Sequence, residues 1–197
     1  MRTRDEAKER AIHQKGLQLI VEEGFDGLSM HKLAKAAGVS PGTIYIYYED
    51  REDLIKQIAA QEIDNLLAAS LVDFNPQMNF SEGLRKQWQN RAKYFMEHPL
   101  EMKFMEQIRY SPYHNEPSME RSSFVKTMSE FIHKAINNKE LRPLPLEVYW
   151  SLAFAPLYKL IEFHVNQKGM NGRKYLLTDH DLDQALNAVL QGLKPEK

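Results

Sequence analysis

Leu28 to Leu54 read LSMHKLAKAAGVSPGTIYIYYEDREDL, an order of residues that predicts two short helices joined by a tight turn. Ser29 is placed to N-cap the first, Met30 to Ala37, by accepting a hydrogen bond from an unpaired backbone N–H. Gly38 comes next, a residue that takes the left-handed conformation ending a helix at little steric cost. Ser40 is expected to cap a second helix, Pro41 to Tyr47, with proline at the first position, where its missing N–H does no harm. Leu33, Ala34, Ala37, Val39 and Ile44 are the inward positions, and Ala34 must be small because the second helix crosses close over it. A helix–turn–helix of this kind presents its second helix to the DNA major groove. An ordinary helical hairpin in a bundle is the alternative.

Thr43, Tyr45 and Tyr47 fall on faces that the small core does not need, and Gly42 stands at the helix tip. Paired tyrosines there suit stacking on sugars and hydrogen bonding to phosphates. On these residues the segment resembles the DNA-binding region of the tetracycline-repressor (TetR) family of bacterial regulators. The matching positions are Val21-Glu22-Glu23-Gly24-Phe25, Ser29-Met30, the run Leu33 to Tyr45, then Tyr48 and Glu52-Asp53-Leu54. The likeness covers the first quarter to third of the chain; beyond it only length and helical character agree. Gly16, Arg51 and Tyr48 depart from the family's usual alanine, lysine and phenylalanine.

The resemblance implies an all-α protein with an N-terminal helix–turn–helix domain and a C-terminal helical domain for ligand binding and dimerisation. By residue-to-residue match it implies that Pro41, Gly42, Thr43, Tyr45 and Tyr47 approach bases and backbone, while Met30, His31 and Arg51 contact flanking phosphates. It also implies a homodimer on a palindromic double-stranded DNA operator, most simply a repressor released by a small-molecule effector, with an activator left open. The competing reading is a dimeric small-molecule-binding or interaction protein whose head has lost specific DNA reading.

Charge bears on that choice. The chain of 197 residues has a formal net charge of −1, and residues 1–56 hold nine Lys/Arg against ten Asp/Glu. Bulk electrostatics cannot drive DNA binding at that balance, so contacts must depend on placement: Arg2, Arg4, Lys8, His31, Lys32 and Arg51 toward the groove, acids elsewhere. Cysteine is absent, which excludes disulfides and thiolate metal sites. The charged start MRTRDEAKER has no apolar segment of a signal peptide, and no apolar run nears the ~20 residues that span a membrane, so a cytoplasmic protein without a membrane partner is expected.

The first helix is expected over about Arg4 to Glu23, packing Ile12, Gly16, Leu19 and Ile20 onto the head. Asp50 caps a fourth helix, with Asp53 placed to complete a capping box, and the pattern runs to about Leu71 as a link to the downstream helices. The domains are therefore expected to be 1–50, a linking helix 51–71, and 72–197, with the junction at Asp73-Phe74-Asn75-Pro76. Downstream, helices are expected over Asn79–His98, Pro99–Tyr110, Ser118–Asn138, Leu146–Lys168 and Asp179–Leu193, the last capped by Thr178.

Sixteen of the twenty aromatic residues lie after residue 57. Trp88, Phe95, Phe104, Tyr110, Phe124, Met128, Trp150, Phe154 and Tyr158 are either plain core or the lining of an effector cavity for a small, largely apolar molecule. Tyr110, Tyr158 and His164 are its candidate polar groups. Leu182, Leu186, Val189 and Leu193 form a helical stripe that either caps its own domain or, as the resemblance implies, packs against a two-fold mate. Enzyme signatures are missing: the seven histidines make no metal-ligand spacing, no strand precedes a glycine-rich phosphate loop, and no serine sits in a nucleophile elbow. No catalytic residue, metal or cofactor is expected.

Overall fold

The local caps form much as their residue types dictate. In the structure, a computed structural model that describes residues 5–113 and 119–195 (side chains of 119 and 120 excepted), the regular elements among the described residues are all helices. Arg2 and Arg4, the loop residues His114 to Pro117, and Ser118 lie outside the described residues. α1 spans Glu6–Gly27, with Asp5 as its cap accepting from the N–H groups of Ala7 and Lys8. Gly24 interrupts it at φ 73°, a left-handed value that favours glycine. α2, Met30–Ala37, is capped by the Ser29 hydroxyl accepting from Lys32 N–H, and it ends at Gly38 with φ 68°.

α3 is shorter than expected, Pro41–Ile44, and continues as a turn through Tyr47. Ser40 is extended there but makes no side-chain cap; its Oγ lies 2.8 Å from Thr43 Oγ1 instead. α4 covers Arg51–Ser70. The reciprocal capping at its start is offset by one residue. Asp50 accepts from Asp53 N–H at 2.8 Å, whereas the Asp53 carboxylate accepts from Glu49 N–H at 2.9 Å.

The remaining helices are α5 (Phe80–Glu97), α6 (Pro99–Arg109), α7 (Met119–Asn137), α8 (Leu146–Ala153), α9 (Ala155–Val165) and α10 (Asp179–Leu193). The single long helix expected over Leu146–Lys168 is two. Pro156 lacks an N–H, and its ring crowds the carbonyl four residues back, so the chain leaves helical geometry at Phe154 (φ −125°, ψ −29°). At α10 the Thr178 hydroxyl and the Asp181 carboxylate form a full capping box. Those hydrogen bonds from Thr178 hold the Asp181 carboxyl below its ordinary value.

The chain divides into two compact units, Met1–Asp64 with Leu100–Ser118, and Asn65–Pro99 with Met119–Lys197. The division falls inside α4, and α6 goes with the N-terminal unit. In that unit α1 packs on α2 and α2 on α3. Its core gathers Ile12, Leu17 and Ile20 of α1, Leu33 and Ala34 of α2, Ile44 of α3 and Leu54, Ile55 and Ile58 of α4 with Phe104 and Ile108 of α6. Burying each of the Leu, Ile and Phe side chains contributes about 1.5–3 kcal/mol. The second unit packs α5 on α7, α9 and α10, with α10 also against α8 and α9.

Candidate nucleic-acid interface and a buried arginine cluster

The outer surface of the head is built by tying down everything beneath it. Ile44 is buried and fixes the inner side of α3. Tyr47, expected to reach DNA, is only 5% exposed. Its hydroxyl accepts the Asp5 N–H at 2.9 Å and donates to the Asp5 carbonyl at 3.2 Å, so it holds the start of α1 and does not project outward. The Met30 side chain is likewise buried among Leu28, Leu33 and their neighbours in the core. Arg51, half-buried, donates through Nε to the Leu28 carbonyl at 2.9 Å and through Nη2 to the Phe25 carbonyl. It serves backbone carbonyls at the C-terminal end of α1, where a phosphate contact was expected.

What remains outward is narrower. Tyr45 is 55% exposed, Gly42 and His31 are exposed, and Pro41 and Thr43 are half-buried. Ser40 and Lys35, exposed on the turn and on α2, join this surface; neither stands out in the sequence as a DNA contact. Lys32 is paired with Glu23, so its charge is partly spent inside the protein. Five exposed residues, His31, Lys35, Ser40, Gly42 and Tyr45, are thus set on a head whose inner face is locked.

The aromatic residues expected to line one effector cavity separate into two groups. Phe104 belongs to the core of the N-terminal unit, and Tyr110, of the same unit, is 89% exposed. Trp88, Phe95, Phe124, Trp150, Phe154 and Tyr158 all lie in the second unit. Trp88 donates to the Ala153 carbonyl at 2.8 Å. Tyr158 stacks on Trp150 (5.9 Å between ring centres) and meets Phe95 edge-on (6.0 Å). Met128 is half-buried, and His164 accepts the Leu177 N–H through Nδ1 at 3.0 Å.

At the middle of this group sits a charged residue that a search for aromatic side chains passes over. Arg91 of α5 is 6% exposed. Its Nη1 donates to the Tyr158 hydroxyl at 2.7 Å and its Nη2 to Gln87 Oε1 at 3.2 Å. The guanidinium carbon lies 4.9 Å from the ring centre of Phe154 and 5.7 Å from that of Phe124. Arg91 Nε and the Tyr149 hydroxyl are buried with no hydrogen-bond partner. Burial pushes the Tyr149 hydroxyl well above its ordinary value, with the Arg91 charge pulling the other way. A signal existed in the sequence: Leu84, Trp88, Arg91 and Phe95 keep helical spacing, which puts a charge on the inward stripe of α5.

Of the stripe on α10, Leu182, Leu186 and Leu193 are buried within their own unit and Val189 is half-buried. The helix packs this face largely on α8, α9 and α5, which leaves Val189 as its most open position. Apolar side chains do stand exposed on α8: Leu146, Val148 and Leu152. Among the described residues no group of histidines and carboxylates is arranged to hold a metal ion, and no helix is long and apolar enough to cross a membrane.

A helix–turn–helix head and a second, all-helical unit are the architecture of the proteins this chain is similar to. Residues 12–58 match the family model described as bacterial regulatory proteins, tetR family. An uncharacterised HTH-type transcriptional regulator of Haemophilus influenzae is 34% identical over 95 residues, which is 48% of this chain and 51% of that protein. A Staphylococcus aureus (strain USA300) HTH-type transcriptional regulator is 33% identical over 63 residues, 31% of this chain and 34% of that one. The matched stretch thus spans about half the length, or less, of these relatives. The crystal structure of a TetR family transcription regulator from Marinobacter aquaeolei VT8 superposes with a TM-score of 0.81 at 25% identity, covering 100% of both chains. Residues 12–58 thus carry the DNA-binding segment of the tetR family, and the chain as a whole is similar in fold to solved TetR-family regulators.

Proposed function

We propose that the protein is a homodimeric repressor that reads a palindromic operator through α3 and leaves it when a small, largely apolar effector binds the second unit. The observation carrying the DNA half is α3 with the turn after it, where Gly42 and Tyr45 are exposed and Thr43 half-buried over an inner side fixed by Ile44 and Tyr47. A helix so presented enters a major groove, and two copies related by a two-fold axis read half-sites about one helical turn apart. Effector binding acts by differential affinity, favouring arrangements of the two heads whose spacing no longer matches the operator. The dimer is an inference from the family likeness and is supported by the exposed apolar side chains of α8.

Selection of the purified protein against a random duplex pool at moderate salt tests this reading. Recovery of a palindrome, lost in Tyr45→Ala and Thr43→Ala, is the expected result. Weak, sequence-blind binding erased by salt would instead favour a ligand-binding protein with a non-reading head. The pairing of Lys32 with Glu23 and of Arg51 with backbone carbonyls is the observation on that side.

A further inference from the structure

A guanidinium carries five N–H donors and a full charge, and taking it out of water without an anion is costly. Arg91 is in that position. Its two hydrogen bonds go to neutral acceptors, Tyr158 Oη and Gln87 Oε1, its Nε has none, and no carboxylate pairs with it among the described residues. The rings of Phe154 and Phe124 offset part of the cost through cation–π attraction but satisfy no N–H. Tyr149, on α8, adds a second buried donor with no acceptor. It belongs to the same cluster, since its ring meets Phe154 edge-on at 6.2 Å and Phe154 in turn lies against Arg91.

We propose that the second unit binds an organic monoanion, a carboxylate on an apolar or aromatic body, with Arg91 as its anchor and Tyr149 as a second donor. This rests on reading the second unit as the effector domain, and it narrows what the effector is. The planar fork of a guanidinium matches a carboxylate in two parallel hydrogen bonds, and a single buried positive charge balances a monoanion better than a phosphate dianion. The aromatic surround accepts the apolar body. Trp150, 39% exposed and stacked on Tyr158, and half-buried Phe124 mark the side on which the cluster approaches solvent.

The test uses the full chain and matched probes: decanoate against decanamide, and 4-phenylbutyrate against 4-phenylbutanamide. Both tryptophans of the chain, Trp88 and Trp150, belong to the cluster, so intrinsic fluorescence reports binding directly, with a thermal-shift assay beside it. At least one carboxylate is expected to saturate and to bind roughly tenfold or more tighter than its amide. Arg91→Met is expected to abolish that preference, and Tyr149→Phe to reduce it. If Arg91→Met does not fold, the carboxylate–amide comparison in the natural chain and Tyr149→Phe still decide. Equal binding of acid and amide, no saturable binding of either acid, or an unchanged preference in Arg91→Met would overturn the proposal. Repeating the titrations with operator DNA separates the two readings. A carboxylate that binds through Arg91 but leaves operator affinity unchanged removes effector release and keeps the anion site. Release by an amide alone does the reverse.

Discussion

The Tyr47 hydroxyl grips the backbone of Asp5 at both ends, accepting its N–H at 2.9 Å and donating to its carbonyl at 3.2 Å. Asp5 is also the residue whose carboxylate caps α1. One phenol therefore fixes where α1 begins relative to the turn that follows α3. Tyr47→Phe keeps the buried ring and removes both hydrogen bonds. The expected loss is about 1–2 kcal/mol in urea denaturation, together with weaker operator binding in fluorescence anisotropy. Tyr45→Phe, at an exposed site, should leave the denaturation midpoint unchanged. If Tyr47→Phe changed operator affinity with no change in stability, Tyr47 would be a direct DNA contact after all.

Arg51 calls for a different separation of roles. Its guanidinium serves the carbonyls of Phe25 and Leu28, with Asp26 3.9 Å away. Arg51→Ala is expected to cost about 1.5–3 kcal/mol of stability, the range for hydrogen bonds from a charged group. Arg51→Lys should recover only part, because an ammonium cannot hold two carbonyls in a planar fork. The discriminating number is the salt dependence of DNA binding. Loss of a phosphate contact lowers the slope of log K against log salt by about one, and no such drop is expected here.

The legible part of this molecule is the part set by neighbours in sequence. Ser29, Gly38 and Thr178 cap or end their helices through partners within a few residues, so α2 and α10 begin and end where their residues say. Helical periodicity carries across a proline unless the proline is weighed, which is why the break at Phe154 ahead of Pro156 escapes a reading of apolar spacing alone. Spacing also cannot say what covers a face. The stripe Leu182, Leu186, Leu193 is a stripe in either case, and only the packing of α10 on α8 and α9 gives most of it to the chain's own core. Tyr47 and Arg51 are engaged by residues 42 and 23–26 positions away, beyond any local pattern. Arg91 hides for the opposite reason: a charged residue is read as surface even when its spacing puts it inside.

Two glycines separate close packing from mere helix propensity. A Cβ on Gly83 would lie 2.4 Å from Cε2 and Cζ of Phe131, a buried ring held between Phe74 and Phe80. The ring has nowhere to turn, so Gly83→Ala is expected to destabilise by about 1–3 kcal/mol despite the better helix propensity of alanine. A Cβ on Gly16 would lie in ordinary contact with the Leu33 methyls at 3.9 Å and crowd the Cδ1 end of Ile58, at 2.7 Å. That methyl can rotate away, and the gain of about 1 kcal/mol in propensity offsets the adjustment, so Gly16→Ala should be close to neutral. Parallel urea denaturation of the two variants checks the contrast; equal effects would mean that the Phe131 ring can move.

The dimer proposal makes its sharpest prediction on α10, because one helix offers both a committed face and an open one. Leu186 is buried in its own unit, whereas Ala188 is exposed on α10 and Leu152 on the neighbouring α8. Leu186→Ala is a core truncation and is expected to cost about 2–5 kcal/mol of stability whatever the oligomeric state. Ala188→Glu and Leu152→Glu each add a charge to the outer side, where a two-fold mate would bring the same charge to a nearby position. Both should keep native circular dichroism and move the sedimentation coefficient from dimer to monomer. A protein that sediments as a monomer before any substitution removes the dimer outright. One that stays dimeric in both glutamate variants sends the interface elsewhere on the chain.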